Sequence, residues 1–163
     1  MFRPLCAALL CGVVLIAPAM AEDDHDHSRH EGEANGVRAV HAWTRATSDR
    51  TALVFVDVEN GSDKDVAIVG AHAGIADAVE LVGFQLRDGE PVYVALPPVP
   101  VKAGTEIVLA PYGLALRLVG LKQPLVEGGE HEIELEFDFG HLDMFVQVEA
   151  ADARNHSHAG HQH

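Results

Sequence analysis

The sequence predicts an all-β protein, a single antiparallel Greek-key β-sandwich. Three observations support this fold class. Apolar and polar residues alternate in many short segments, turn residues separate these segments at regular intervals, and no stretch combines a helical period with caps. Many short strands at this spacing are typical of sandwiches and barrels.

The first 21 residues have the pattern of a secretory signal peptide. Arg3 is followed by a short apolar stretch, and Ala19-Met20-Ala21 forms an A-x-A cleavage site. The stretch is too short to predict a membrane span. Both cysteines, Cys6 and Cys11, lie in this leader, and neither follows the small residue that lipid attachment requires. The mature protein is therefore predicted to be exported to the periplasm without a disulfide or a thiolate metal site.

The net charge restricts the partners. The whole chain has 11 Lys and Arg and 25 Asp and Glu, and cleavage removes Arg3, which leaves a net charge of −15 with neutral histidine. Nucleic acids and anionic lipids would be repelled by such a protein, so neither nucleic-acid binding nor stable membrane insertion is expected. Cations fit this charge better.

The strands are predicted in chain order from alternation and turn residues. Alternation is clearest in residues 37–43, 51–60 and 131–139, and further strands are predicted at 66–69, 78–84, 92–96, 106–109, 114–119 and 144–149. Turn dipeptides such as Asn60-Gly61 and Asp88-Gly89 separate them. The expected core positions are Leu53, Phe55, Ile133, Leu135 and Phe137.

Two polar segments flank the predicted domain at residues 37–150. Residues 22–36 and 151–163 have few large apolar side chains and are predicted to be disordered. They contain seven of the eleven histidines, and these seven are the candidate metal ligands: His25, His27, His30, His156, His158, His161 and His163. Short histidine-rich segments are a compositional sign of metal binding. The alternative is that both segments serve only solubility.

Several motifs in order resemble the periplasmic copper chaperone PCu(A)C family. They are "HAWTRAT", "VFVDVENGSDKDVAIVGA" and "VKAGTEIVLAPYGLALRLVGLKQPLVEGGEHEIELEFD", and the resemblance covers residues 37–148. It implies a cupredoxin-like β-sandwich that delivers Cu(I) towards the copper site of cytochrome oxidase.

The copper ligands that this resemblance implies are missing. The family binds copper through two histidines and two methionines, and its spacing places them here at Val82, Tyr93, Ala115 and Arg117. Cu(I) prefers soft thioether and imidazole ligands, which these four side chains do not provide. The chain is therefore predicted to be a member of the family that lacks the usual pocket.

The remaining candidates are weaker. His141 and Met144 would offer imidazole and thioether if the turn at Gly140 brought them together, although inward packing of Met144 is the alternative. His41, His72 and His131 are predicted to be surface residues. No nucleophile motif is present, and Glu134 and Glu136 alternate along a strand as solvated acids do, so no enzyme activity is predicted.

These observations predict a periplasmic metal chaperone in which the histidine-rich ends capture the ion, with Cu(II) or Zn(II) favoured over Cu(I). The expected partner is an acceptor protein such as a cytochrome oxidase assembly factor. A metal-independent protein-interaction module on the same sandwich is the alternative.

Overall fold

A computed structural model describes residues 32–157, and these residues form β-strands joined by turns, without a helix. The eleven strands are β1 (Gly32–Ala34), β2 (Val37–Arg45), β3 (Thr51–Asn60), β4 (Val66–His72), β5 (Ala78–Arg87), β6 (Glu90–Ala95), β7 (Val99–Val101), β8 (Thr105–Leu109), β9 (Leu114–Val119), β10 (Glu130–Phe137) and β11 (Gly140–Glu149). The all-β prediction is confirmed. No helix in residues 32–157 is long and apolar enough to cross a membrane.

The strands form one continuous hydrogen-bonded array. Its order is β6-β5-β9-β8-β3-β2-β11-β10-β4-β7, with β1 added against β2 and a further pairing between β9 and β3. Most pairs are antiparallel, but β2 pairs with β11 in parallel, and β8 meets β9 in parallel at Leu109 and Leu114. The pairing is therefore mainly antiparallel, as predicted, with two parallel contacts that the sequence did not predict.

Strand β3 shows how alternation produces two apolar clusters. Val54, Val56 and Val58 face the main core and are at most 1% exposed. Phe55 points to the opposite face, where it packs with Trp43, and Leu53 lies half-buried beside them. Burial of each such side chain contributes roughly 1.5–3 kcal/mol, so the alternation fixes the register of the strand.

Asn60 is a buried polar residue that holds the turn after β3. Its amide nitrogen donates to the carbonyls of Lys64 (2.8 Å) and Val101 (3.0 Å), and its carbonyl accepts hydrogen bonds from the backbone N–H and hydroxyl of Ser62. Every polar atom of the amide group is thereby used, as burial requires.

The folded part extends further at both ends than the predicted boundaries. Strand β1 lies in the segment predicted to be disordered and pairs with β2, and residues 151–157 fold back against the sandwich. Strand β7 is additional, and β11 begins at Gly140 rather than at 144. The predicted signal peptide and the rest of both histidine-rich segments lie outside the described residues.

Candidate metal centre

A bulge in β2 gives His41 an unusual backbone conformation. The pairing of β2 with β3 shifts register between Val40 and Trp43, and His41 has a φ of 55°. A non-glycine residue with positive φ is uncommon and costs on the order of 1 kcal/mol or more. The His41 side chain is 52% exposed, with Nδ1 at 3.3 Å from Oδ2 of Asp57 on β3.

The segment that follows β11 packs over the smaller apolar cluster, which consists of Trp43, Phe55, Val82 and Ala115. Ala153 packs against this cluster, and Nε of Arg45 donates a hydrogen bond of 2.6 Å to its carbonyl. The Arg45 guanidinium lies 5.8 Å from the Trp43 ring centroid and 5.7 Å from that of Phe55. A charge-assisted hydrogen bond and two cation–π contacts therefore hold this segment in place.

This docking brings His156 next to His41. The two ring centroids are 6.0 Å apart, with the planes inclined by 39°. Nδ1 of His156 lies 2.9 Å from Oε1 of Glu149. The same oxygen accepts hydrogen bonds from the backbone N–H and hydroxyl of Ser157. The side chains of His156 and Glu149 are only 12% and 14% exposed, so this pair is largely removed from water.

The separation of the two rings is compatible with a shared metal ion. Each imidazole has Nδ1 near a carboxylate, and histidine ligands in proteins commonly have such a carboxylate partner, which orients the ring and raises its basicity. With metal–nitrogen bonds of about 2.0–2.1 Å, two imidazoles on one ion have centroids roughly 5–6 Å apart. The rings line a pocket of about 250 Å³ with Trp43 and Asp57 in its wall.

The sequence analysis named one of these two histidines as a candidate ligand. His156 belongs to the predicted set, whereas His41 was predicted to be a surface residue. Local spacing contains no signal for His41, because its neighbour His156 is 115 positions away. The other six predicted histidine ligands lie outside the described residues: His25, His27, His30, His158, His161 and His163.

The four positions that the resemblance assigned to copper lie together in one patch. Val82 pairs with Ala115, and both are fully buried against Trp43 and Phe55. Tyr93 packs beside them, and its carbonyl accepts a hydrogen bond of 3.1 Å from Arg117.

The charge in this patch is already balanced. Nε of Arg117 donates to the carboxylate of Glu80 at 2.8 Å, and a second guanidinium nitrogen donates to the same oxygen. The patch therefore offers apolar packing and a closed ion pair.

The structure separates His141 from Met144. Met144 is 1% exposed and lies in the main core, while His141 is exposed on the opposite face of β11. Because side chains alternate along a strand, residues three apart point to opposite faces and cannot share an ion while β11 is intact. His72 is exposed at the end of β4, and His131 is half-buried near the start of β10.

The fold is that of the PCuAC domain, a cupredoxin-like β-sandwich. The PCuAC domain of PmoF2 matches in its apo form with a TM-score of 0.65 (21% identity, 77% of this chain and 99% of that one) and in its copper-bound form with 0.62 (21% identity, 74% and 98%). The Cu(I) form of DR1885 from Deinococcus radiodurans matches with 0.55 (24% identity, 68% and 76%).

The family follows from the sequence comparison. The family profile described as "Putative lipoprotein LpqE-like" matches residues 37–148, and the chain belongs to this LpqE-like family. A relative named "Putative lipoprotein Lxx21020" from Leifsonia xyli subsp. xyli (strain CTCB07) is 29% identical over 130 residues, which are 78% of each chain. The predicted resemblance to PCu(A)C proteins is confirmed by the shared fold.

Proposed function

We propose that this protein is an exported copper-handling protein that captures a metal ion at His41 and the histidine-rich ends and passes it to an acceptor. The observation that carries the proposal is the contact between His156 and His41, with a carboxylate beside each ring. A purely solubilising tail has no need of a docked, largely buried imidazole. The copper-bound structures of PmoF2 and DR1885 support copper as the ion.

The ligand chemistry favours Cu(II), with Zn(II) as a second candidate. Imidazole nitrogens and carboxylate oxygens suit divalent ions, and Cu(II) binds most tightly among them at a given site of this type. Cu(I) is best held with thioether or thiolate ligands. Met144 is the sole methionine after the leader, and it is buried in the core.

Both ends of the described chain lie beside β2, the strand that carries His41. Gly32 pairs with Ala39, two residues before His41, and His156 lies beside His41. Two histidine-rich segments that both lie beside β2 can contribute ligands to one ion, and the second segment then binds at a high effective concentration. We therefore propose one composite site rather than two weak ones.

Release would proceed by ligand exchange. A site made of exposed and chain-terminal imidazoles can give up its ligands one at a time to a tighter acceptor. The proposed acceptor is a periplasmic protein of cytochrome oxidase copper-site assembly, and the names of the lipoprotein relatives support an exported location.

A titration with Cu(I), Cu(II) and Zn(II) tests the proposal on full-length protein. Replacement of the seven terminal histidines by asparagine should weaken Cu(II) binding at least tenfold, because neutral imidazole nitrogens are lost. A control variant, His131→Asn, removes one imidazole that belongs to neither proposed site and should bind as the wild type does.

Loss of one Cu(II) equivalent per chain in the variant without the seven terminal histidines would support the composite site. If the wild type binds none of the three ions with a Kd below about 10 µM, the metal-independent interaction module replaces this proposal.

A further inference from the structure

A second cluster of metal-binding side chains lies on the outward face of β10 and β11. Glu134 on β10 is directly opposite Asp143 on β11, and His141 is two residues before Asp143 on the same face. One ligand atom from each of the three residues lies within 4.8 Å of the other two. Three such groups at adjacent positions of a paired hairpin are held by the backbone register, so little chain ordering is needed to bind an ion.

The charge of this cluster is unbalanced. Within residues 32–157, no ion pair joins Glu134 or Asp143 to a lysine or arginine. Glu134 is half-buried, and like charges at this separation disfavour each other. A bound cation would remove that repulsion.

Two neighbouring residues on this face, Glu136 and His72, differ in their relation to the cluster. Glu136 is opposite His141, but its carboxylate leans over Gly70 on β4, where a Cβ would lie 2.8 Å from Oε2. It is therefore directed away from β11. His72 on β4 pairs with Glu134 from the other side and adds a second imidazole at the edge of the cluster.

We propose that Glu134, His141 and Asp143 form a second site, specific for divalent first-row cations of the Zn(II) type. One imidazole nitrogen and two carboxylate oxygens form a mixed set that such ions accept, and water or His72 can complete four-fold coordination. Met144 lies on the other face of β11, so the site has no thioether for Cu(I). The bound ion would link β10 to β11, because its ligands come from both strands. This site does not depend on His41 or His156.

The test is a Zn(II) titration of the full-length protein followed by ¹H–¹⁵N correlation spectra. Saturable shifts are expected at the amides of residues 134, 141 and 143, and they report on this site whether or not the histidine-rich ends also bind. Glu134→Gln or His141→Ala should weaken this transition at least tenfold, because either change removes one of three ligands. His156→Ala should leave it unchanged within about twofold, as expected for an independent site.

Glu132→Gln is the matched control, since Glu132 is the next outward residue of β10 and lies opposite Phe145. It removes the same charge from the same face without removing a ligand. The proposal is overturned if the shifts do not saturate, or if Glu132→Gln weakens binding as much as Glu134→Gln does. The latter result would mean that the acidic face attracts cations only diffusely.

Discussion

Arg45→Met should weaken Cu(II) binding although it changes no ligand. Arg45 donates a hydrogen bond of 2.6 Å to the carbonyl of Ala153 and covers the rings of Trp43 and Phe55. A charge-assisted hydrogen bond of this kind contributes about 1.5–3 kcal/mol. Methionine retains an apolar stem over the rings but makes no such bond.

Without the hydrogen bond from Arg45 to Ala153, the segment that carries His156 is docked in a smaller fraction of molecules. The apparent affinity for Cu(II) decreases in proportion to that fraction. We expect a decrease of about tenfold, the low end of the range that 1.5–3 kcal/mol allows, because the packing of Ala153 and the bonds of Ser157 remain. The sign of the effect is informative. Removal of a positive charge alone would raise the affinity for a cation, so a decrease must come from lost docking.

The assay uses Trp43, the single tryptophan of the chain, which is 5% exposed and lines the pocket. Bound Cu(II) should quench its fluorescence, and a titration gives the affinity directly. Arg50→Met is the control. It removes the same charge from an exposed residue whose partner is Asp77 at 3.6 Å, and it should change the affinity less than twofold. Equal affinities for Arg45→Met and the wild type would refute the role of the docked segment.

Three further predictions concern single features. Glu149→Gln should weaken Cu(II) binding by about tenfold in the same titration, because the carboxylate that orients His156 is lost; Glu127→Gln, an exposed change of equal charge, should not. Asn60→Ala should lower the free energy of unfolding by about 2–4 kcal/mol in urea denaturation, since buried hydrogen-bonding groups lose their partner; an effect below about 0.5 kcal/mol would contradict this. Bound Cu(II) should be released between pH 7 and pH 5 as the imidazole ligands protonate, and full retention at pH 5, measured by equilibrium dialysis, would indicate other ligands.

The fold was largely predictable from the sequence because its strands have one buried face. In β10 the apolar series Ile133, Leu135 and Phe137 alternates with acids, and all three side chains are buried as predicted. Strand β1 could not be predicted in this way, because its three residues, Gly32–Ala34, carry too little apolar pattern and are held by backbone pairing.

The candidate sites were less predictable because they depend on contacts between distant segments. The bulge that exposes His41 and the bond from Arg45 to Ala153 leave no local pattern. His141 was a weak candidate with Met144 as its expected partner. Strand alternation instead places His141 on the same face as Asp143, close to Glu134 of β10. Residues three apart, such as His141 and Met144, are known to point to opposite faces only after the segment is known to be a strand.

The most direct test of the account is the affinity of His41→Asn for the first equivalent of Cu(II), measured by isothermal titration calorimetry. His41 is outside both histidine-rich segments, so only its contact with the docked His156 predicts that it is a ligand. We expect His41→Asn to lose at least tenfold in affinity relative to the wild type, with His131→Asn unchanged. Equal affinities for His41→Asn and the wild type would contradict it.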